Sequence, residues 1–243
     1  MKTVLRALSI CFLALLPIPT LAQELTEERV KELVLEAIRE NPSIVFEAAM
    51  LMRQQQEEAN QAALTSVLER NREILLNDPN APVLGNPDGD VTVVEFFDYN
   101  CPYCRRVKPS VEALLEQDKN VRLVYREWPI LGEGSVFAAR AALASREQGK
   151  YEEFHWALMG MHGRAEEPSV MRIAEEVGLD LNRLRQDMES KEIDEHFATS
   201  VRLTKELGIS GTPGFVIGDA VVPGVVEADQ LILLTRQARA EKR

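Results

Sequence analysis

Residues 93–104 read Val-Val-Glu-Phe-Phe-Asp-Tyr-Asn-Cys-Pro-Tyr-Cys, an apolar run that ends in two closely spaced cysteines. The apolar, β-branched run over residues 91–97 is typical of a short buried strand, and residues 105–117 carry the pattern of a helix. Cys101 and Cys104 therefore lie between a strand and the first turn of a helix. The positive end of a helix dipole and its unpaired N–H groups stabilise a thiolate. This position predicts redox chemistry, in which Cys101 exchanges with a disulfide and Cys104 resolves the mixed disulfide.

Three other uses of such a cysteine pair are less well supported. A structural disulfide would close a loop of four residues, which constrains the unfolded chain very little. A zinc site needs two more ligands, but the three histidines, at positions 155, 162 and 196, lie more than 50 residues away. Haem attachment requires a histidine where Arg105 stands. Redox chemistry is favoured over all three.

A second pattern concerns residues further along the chain. His155, Met159 and His162 fall at i, i+4 and i+7 and would share one face of a helix. Imidazole and thioether groups together can hold copper, but a core methionine beside two surface histidines is the more common arrangement. Packing is therefore favoured over metal binding. Arg105 and Arg106, which follow the cysteine pair, are expected to be solvated helix residues.

Glu95 interrupts the apolar strand six residues before Cys101. A carboxyl group in a strand that is buried on both faces is desolvated, which raises its pKa. In that position Glu95 can take up and return the proton of Cys104 during exchange. The alternative is that Glu95 faces outward from the strand.

The segment from Ile209 to Phe215 reads Ile-Ser-Gly-Thr-Pro-Gly-Phe and precedes the third predicted strand. Thr212-Pro213, between two glycines, is a candidate for a cis peptide bond. If it lies beside the cysteines, the backbone at Thr212 can pair with a peptide substrate as a short added strand. The alternative is an ordinary trans turn. The upstream cysteine pair favours the cis bond.

Residues 1–22 have the pattern of a cleaved signal peptide, with a basic start, an apolar stretch and a small-residue site ending at Ala22. The stretch is too short for a membrane anchor and is broken by prolines. Cleavage would remove Cys11, and it would take the net charge from −11 to −13 because two basic residues and no acidic one are lost. Such an acidic chain is not expected to bind nucleic acid. We expect export to the periplasm, where disulfides form.

The absence of glycine from residues 23–84 separates a helical N-terminal region from the rest. Helices are predicted from Glu24 to about Glu40 and from Ile44 to about Leu76, with a loop over residues 81–90. The apolar stripe of the second helix must pack on its own domain or on copies of itself. The remainder reads as β-α-β, a helical block over 135–207, a hairpin over 215–222 and a last helix over 227–239.

Residues 93–104 together with residues 211–215 resemble the DsbA-like branch of the thioredoxin superfamily. The 108 residues between Cys104 and Pro213 fit the inserted helical domain of that branch. The glycine-free N-terminus and its glutamine run resemble the ScsC (suppressor of copper sensitivity C) and Com1-type proteins, over residues 24–240. The resemblance implies an α/β thioredoxin fold over residues 81–243 with a helical insertion at about 133–208. It also implies an N-terminal helical oligomerisation arm over residues 23–80.

By the same resemblance, the protein is a periplasmic thiol:disulfide oxidoreductase that needs no cofactor. Cys101 would be the nucleophile and Cys104 its partner in a redox-active disulfide. Glu95 would be the buried acid, and Thr212-Pro213 the cis-proline loop. The dipeptide between the cysteines, Pro-Tyr, differs from the Pro-His of the strongest oxidases. We therefore expect a disulfide isomerase or reductase, with a dithiol oxidase and a copper(I)-binding protein using Cys101 and Cys104 as the alternatives.

The partners implied are exported cysteine-containing proteins, a membrane redox partner of the DsbD/ScsB or DsbB type, and two further copies of the chain. The longer ScsC-like proteins associate three chains through their N-terminal helices. A homotrimer through residues 23–80 is therefore the expectation for this chain, and no metal beyond copper(I) on the cysteines is expected.

Overall fold

The computed structural model describes residues 26–241, so the predicted signal peptide and Cys11 lie outside the described residues. The described chain forms two compact units that divide between Glu57 and Glu58. This division falls inside the second helix, whereas the change in composition falls near residue 80.

The N-terminal unit contains the first helix and the first part of the second. Helix α1 (Glu27–Glu40) begins after Thr26, whose side chain accepts a hydrogen bond from the backbone N–H of Arg29. Asn41 ends α1, because Pro42 disfavours helical backbone in the residue before it. Helix α2 (Ser43–Asn77) follows. No residue of α1 is buried, and ten of the fifteen exposed large hydrophobic side chains of the described chain lie between residues 30 and 52.

A five-stranded sheet forms the centre of the second unit, in the order β1-β3-β2-β4-β5. Its strands are β1 (Val83–Gly85), β2 (Val91–Phe97), β3 (Val121–Glu127), β4 (Gly214–Ile217) and β5 (Ala220–Pro223). Only β2 and β3 are parallel, and the other pairs are antiparallel. The prediction of an uninterrupted loop over 81–90 is wrong, because β1 lies there; three residues are too few to show an alternating pattern.

Helices cover both faces of the sheet. Helix α3 (Pro102–Gln117) connects β2 to β3, and α9 (Ala228–Glu241) packs against α3. Between β3 and β4 lies the helical insertion, which comprises α4 (Glu133–Ala144), a 3-10 turn (Ser145–Gln148), α5 (Tyr151–Gly160), α6 (Glu167–Glu176), α7 (Leu181–Asp187) and α8 (Lys191–Glu206). This arrangement confirms the predicted thioredoxin fold with an inserted helical domain.

Alternate residues of β2 belong to two different cores, because successive strand side chains point to opposite faces. Val93 and Phe97 pack with the α3 and insertion side, whereas Val94 and Phe96 pack with the C-terminal part of α2 and with α8. Glu95 shares the face of Val93 and Phe97, which is the face that α3 covers. The strand therefore aims this carboxyl group at the helix that carries the cysteines.

A buried polar cluster fastens the insertion to β3. The carboxylate of Glu127 lies 2.8 Å from His196 Nε2 of α8 and accepts a 2.6 Å hydrogen bond from the hydroxyl of Tyr151 of α5. Next to it, Arg126 forms a buried ion pair with Asp78. No local sequence pattern indicates this cluster, because its members lie far apart in the chain. None of the helices over residues 26–241 is long and apolar enough to cross a membrane.

Candidate active site

Cys101 occupies the N-cap of α3, and Pro102 follows as the first helical residue. Proline suits this position because its missing N–H would have no partner there. Both Cys101 and Cys104 are free thiols, and both are buried. The Sγ atom of Cys101 lies 3.2 Å from the carbonyl oxygen of Thr212. The structure thus brings together the two segments that the sequence analysis singled out, and the Thr212-Pro213 peptide bond is cis, as predicted.

The two thiols differ in their acidity. The pKa of Cys101 is lowered to about 6, first by a hydrogen bond from the Cys104 thiol and then, against the effect of burial, by the Thr212 side chain and the backbone N–H groups of Cys104 and Tyr103. The pKa of Cys104 is raised far above its ordinary value, chiefly by burial and by its bond to Cys101. At neutral pH Cys101 is therefore a thiolate, and Cys104 remains protonated.

Glu95 is 2% exposed, so the prediction of a buried acid is confirmed and the outward-facing alternative is wrong. Burial raises the pKa of Glu95 to about 8, and the negative charge of Cys101 contributes. The charge of Glu95 in turn helps to raise the pKa of Cys104, so the two groups lie close enough to interact. A carboxyl group that titrates near neutral pH can both accept and donate a proton under working conditions.

Asp98 organises the turn between β2 and Cys101, and the sequence analysis did not single it out. Its carboxylate accepts three backbone hydrogen bonds, from Asn100 at 2.7 Å, from Ile130 at 2.8 Å and from Leu131 at 3.0 Å. Its own carbonyl accepts the N–H of Cys101 at 3.0 Å. An aspartate three residues before a cysteine that opens a helix is the local signal that could have been noticed, since aspartate side chains often bond the backbone two residues on.

Tyr99 connects the same turn to the insertion. Its hydroxyl lies 3.0 Å from Nδ1 of His155, and both residues are buried. Burial lowers the pKa of His155 to about 3, so its ring is neutral. The sequence predicted two surface histidines beside a core methionine. This prediction is wrong for His155, which is buried, and it is confirmed for Met159, which is a core residue. His162 is exposed and lies beyond the end of α5.

Arg105 departs from the expectation of a solvated helix residue. Its guanidinium group donates hydrogen bonds to the carbonyl oxygens of Tyr99, Met161 and Gly163. Arg106 is exposed, as expected. Arg105 thus fastens the start of α3 to the segment that follows α5.

No cluster of three or more His, Cys, Asp or Glu side chains within residues 26–241 has an arrangement that could hold a metal ion. The histidine at 155 is enclosed by the rings of Phe97, Tyr125, Tyr151 and Trp156, which fill the space that a ligand would need.

Comparison with known proteins agrees with this geometry. A family described as a DSBA-like thioredoxin domain matches residues 92–233. A protein named Na(+)/H(+) antiporter NhaA 3 from Salinispora tropica is 34% identical over 137 residues, which are 56% of this chain. The chain spans about a fifth of the length of that relative, 21%.

Solved structures give a fuller overlap. A thioredoxin-like oxidoreductase from Silicibacter pomeroyi DSS-3 is 66% identical, with a TM-score of 0.69, covering 70% of this chain and 98% of that one. A linker-deletion variant of Proteus mirabilis ScsC is 28% identical, with a TM-score of 0.70, and the overlap covers 92% and 100% of the two chains. A periplasmic thioredoxin-like protein from Salmonella enterica serovar Typhimurium is 29% identical, with a TM-score of 0.63 and coverage of 70% and 95%.

The helix-capping cysteine pair, the buried acid beneath it and the adjacent cis-proline segment occur in a chain whose residues 92–233 match the family throughout. The chain belongs to the family of DSBA-like thioredoxin domains.

Proposed function

We propose that this protein is a periplasmic thiol:disulfide oxidoreductase, a disulfide isomerase or reductase in which Cys101 attacks disulfides of exported proteins. The observation that carries the proposal is the contrast between the two thiols: the pKa of Cys101 is lowered to about 6, while that of Cys104 is raised. A thiolate is the nucleophile in thiol–disulfide exchange, and a protonated neighbour does not compete with it. In its dithiol form the protein is thus ready to attack.

The reaction begins when the Cys101 thiolate attacks one sulfur of a client disulfide. A new bond forms between Cys101 Sγ and that sulfur, the client S–S bond breaks, and the second client sulfur leaves as a thiolate. In isomerisation, a client thiolate then attacks the client sulfur of the mixed disulfide, which forms a new client disulfide and releases Cys101 as a thiolate. In reduction, Cys104 attacks Cys101 Sγ, so the client gains two electrons and the cysteine pair becomes a disulfide.

Glu95 acts in the second step of reduction. Cys104 must lose its proton before it can attack, and burial opposes the charged form of its thiol. Glu95, whose pKa is raised to about 8, accepts this proton in its carboxylate form and returns it to the site in the reverse direction. Thr212 and Pro213 act differently, because the backbone of Thr212 beside Cys101 pairs with the client chain next to its disulfide.

Self-association through the N-terminal helices accompanies this activity. Exposed apolar side chains of one unit include Val34, Leu35, Val45, Phe46 and Met52. A concentration of this kind is more than a soluble monomer normally leaves in water, and copies of the same helices can bury it. A homotrimer through residues 23–80 would place several Cys101 nucleophiles around one client, which favours isomerisation.

The periplasmic location rests on the signal-peptide pattern of residues 1–22 and on the similarity to a Salmonella protein described as periplasmic. A membrane protein of the DsbD/ScsB type would return electrons to the cysteine pair. An oxidase would instead be reoxidised by a DsbB-type partner. The tyrosine between the cysteines lacks the positive charge that a protonated histidine offers the thiolate, which favours the reducing direction.

The competing functions use the same two sulfurs. The paired thiols of Cys101 and Cys104 could also bind copper(I), since thiolates are soft ligands. Glu95→Gln separates these roles, because it removes a proton acceptor but no sulfur. If the cysteines act in catalysis, Glu95→Gln should lower the rate of thiol–disulfide exchange and leave the copper(I) affinity nearly unchanged.

The deciding experiment measures the reactivation of a client with scrambled disulfides by the reduced mature chain, without another oxidant or reductant. The proposal predicts catalysed reactivation that is lost in Cys101→Ala. The same assay with a reduced client distinguishes an oxidase from an isomerase, because an oxidase in its disulfide form would rapidly introduce disulfides into the client. Unchanged reactivation by Cys101→Ala would contradict the proposal.

A further inference from the structure

Asn100, the residue before the nucleophile, links the active-site turn to the helical insertion. Its Oδ1 accepts a hydrogen bond from the backbone N–H of Ala165 at 2.7 Å, and its Nδ2 donates to the carbonyl of the same residue at 3.0 Å. Nδ2 also donates to Oγ of Ser135 at 3.1 Å. A carboxamide has two N–H donors and one oxygen, so all of its groups are engaged.

Ala165, to which Asn100 bonds, is held in place within the insertion. Ala165 is fully buried, and the first turn of α4 packs directly on its peptide. A Cβ atom at Gly134 in that turn would collide with the carbonyl oxygen of Ala165 and with the carboxylate of Glu166. Only a glycine at this position allows so close an approach. The peptide of Ala165 is thus held between Gly134 and Asn100.

On its other side, Asn100 is part of a turn whose backbone is equally constrained. Its own N–H donates to the Asp98 carboxylate at 2.7 Å, and the N–H of Cys101 donates to the Asp98 carbonyl at 3.0 Å. The two peptides that precede the nucleophile therefore have fixed directions. The side chain of Asn100 connects this constrained turn to the insertion.

We propose that Asn100 is a positioning residue for thiol–disulfide exchange, which holds the Cys101 turn in register with the insertion and thereby with Thr212. The geometric reason is the chain order. The insertion ends with α8, and Thr212 follows it closely, so the insertion carries one side of the site while the turn after β2 carries the other. The pairing of β4 with β2 brings Thr212 to the Cys101 end of β2, and joining the turn to the insertion adds a second constraint on the 3.2 Å approach of Cys101 Sγ to the Thr212 carbonyl.

Two neighbouring residues also connect the active-site turn and the start of α3 to the insertion by hydrogen bonds. Tyr99 bonds His155 of α5, and Arg105 bonds the carbonyls of Met161 and Gly163 just beyond α5. Asn100 is the most informative of these residues for an experiment, because it precedes Cys101 directly and its side chain carries no charge. A substitution there changes geometry without changing the net charge around the Cys101 thiolate.

The chain offers a matched control at Gln148. Its carboxamide makes the same reciprocal pair with a backbone peptide, accepting from the N–H of Asp180 at 2.9 Å and donating to its carbonyl at 3.2 Å. This pair lies within the insertion, between the 3-10 turn and the start of α7. Gln148→Ala therefore removes an equivalent link that has no part in positioning Cys101.

The test compares Asn100→Ala and Gln148→Ala in the full mature chain. It measures the rate of exchange with a small aromatic disulfide, the pH profile of Cys101 alkylation and the urea midpoint of unfolding. We expect Asn100→Ala to slow exchange by about tenfold, since a misplacement near 1 Å can cost up to about 100-fold. Its alkylation midpoint should also move upward, because the thiolate loses aligned hydrogen bonds. Gln148→Ala should leave the rate and the pH profile unchanged.

An unchanged rate and pH profile in Asn100→Ala, or equal losses in both variants, would overturn the proposal. If Asn100→Ala does not fold, Gly134→Ala gives the answer, because its Cβ displaces Ala165 from the opposite side and leaves the Asn100 side chain itself unchanged. The same slowing supports the positioning role, and a wild-type rate contradicts it. The small disulfide reports on Cys101 whatever the client reaction, so failure of the isomerase proposal would not imitate either result.

Discussion

Cys101 Sγ and the carbonyl oxygen of Thr212 lie 3.2 Å apart, although 111 residues separate them in the chain. Cys101 caps α3 at the end of β2, and Thr212 precedes β4, which pairs with β2 in the sheet. A nucleophile and a stretch of backbone that can pair with a peptide therefore form one site. A client disulfide that reaches Cys101 brings its own main chain beside Thr212.

The pH dependence of Cys101 is the first consequence of this site. Because its pKa is lowered to about 6, the thiol becomes protonated, and alkylation by iodoacetamide slows, as the pH falls through that value. Cys104 should stay unmodified in the folded protein through pH 8, because burial raises its pKa. Mass spectrometry after timed alkylation measures both. A Cys101 midpoint near the ordinary thiol value of about 8.5 would contradict the thiolate assignment.

Glu95 should reduce the stability of the dithiol form as the pH rises. Its pKa is about 8 in the folded protein against 4.5 as the reference, so the folded state binds the proton more tightly. The free energy of unfolding should therefore fall between about pH 4.5 and 8. Glu95→Gln lacks this titration, and we expect it to be more stable at pH 7 by up to about 3 kcal/mol.

Urea denaturation of the reduced protein at several pH values measures this difference. Glu112→Gln, on the exposed side of α3, serves as the control and should follow the wild-type pH dependence. A gap between Glu95→Gln and the wild type that does not grow from pH 4.5 to pH 8 would show that Glu95 is not the titrating group.

The Glu127–His196 pair should contribute strongly to folding. Burial, the largest influence, acts to raise the pKa of Glu127, but the bonds from His196 and Tyr151 leave it below its ordinary value. His196→Leu keeps a bulky side chain but leaves the carboxylate with Tyr151 as its one partner and the Glu127 N–H without its acceptor, so we expect a loss of about 3–5 kcal/mol. The exposed pair Arg172–Glu176 provides the comparison, and Arg172→Ala should cost less than about 1 kcal/mol.

Urea unfolding at pH 7 measures both of these losses. As the pH falls through the lowered pKa of Glu127, protonation of the carboxylate removes its contribution, so His196→Leu and the wild type should converge in strong acid. Equal small losses in the two variants at pH 7 would show that the buried pair does not fasten the insertion.

The N-terminal helices should control the oligomeric state. Phe46 is 68% exposed and Met52 is 70% exposed, so replacing them with charged residues should not destabilise the folded chain. Phe46→Glu with Met52→Glu should convert the proposed trimer into a monomer. Sedimentation equilibrium of the full mature chain measures the mass. As a control, Gln55→Glu with Gln56→Glu, at exposed polar positions of the same helix, should leave the trimer intact. A wild-type monomer would contradict the association.

The parts of the site that lie in one stretch of sequence could be predicted, and those that depend on distant partners could not. The strand, the cysteine pair and the helix follow one another directly, so local patterns identify Cys101, Cys104 and Glu95. Thr212-Pro213 was recognisable because its neighbouring glycines mark a turn. Strand β1 was missed since it has three residues, too few for a period of two to be recognised.

The network that holds the turn was invisible for a different reason. Asn100 meets Ala165 at a separation of 65 residues, and Arg105 meets Gly163 at 58. Nothing in the local pattern of either residue indicates its partner. His155 looked like a surface residue because its neutral, buried state depends on aromatic rings from two other elements, Phe97 of β2 and Tyr125 of β3.

The central claim, that Cys101 attacks client disulfides, is tested most directly by trapping the mixed disulfide. Reduced Cys104→Ser keeps the nucleophile but cannot resolve the product. After incubation with a disulfide-containing client, mass spectrometry should find one client molecule per chain, joined through Cys101. The Cys101→Ser variant should form no adduct under the same conditions, because the pKa of Cys104 is raised by burial. Absence of the Cys101 adduct, or an equal yield through Cys104, would contradict the account.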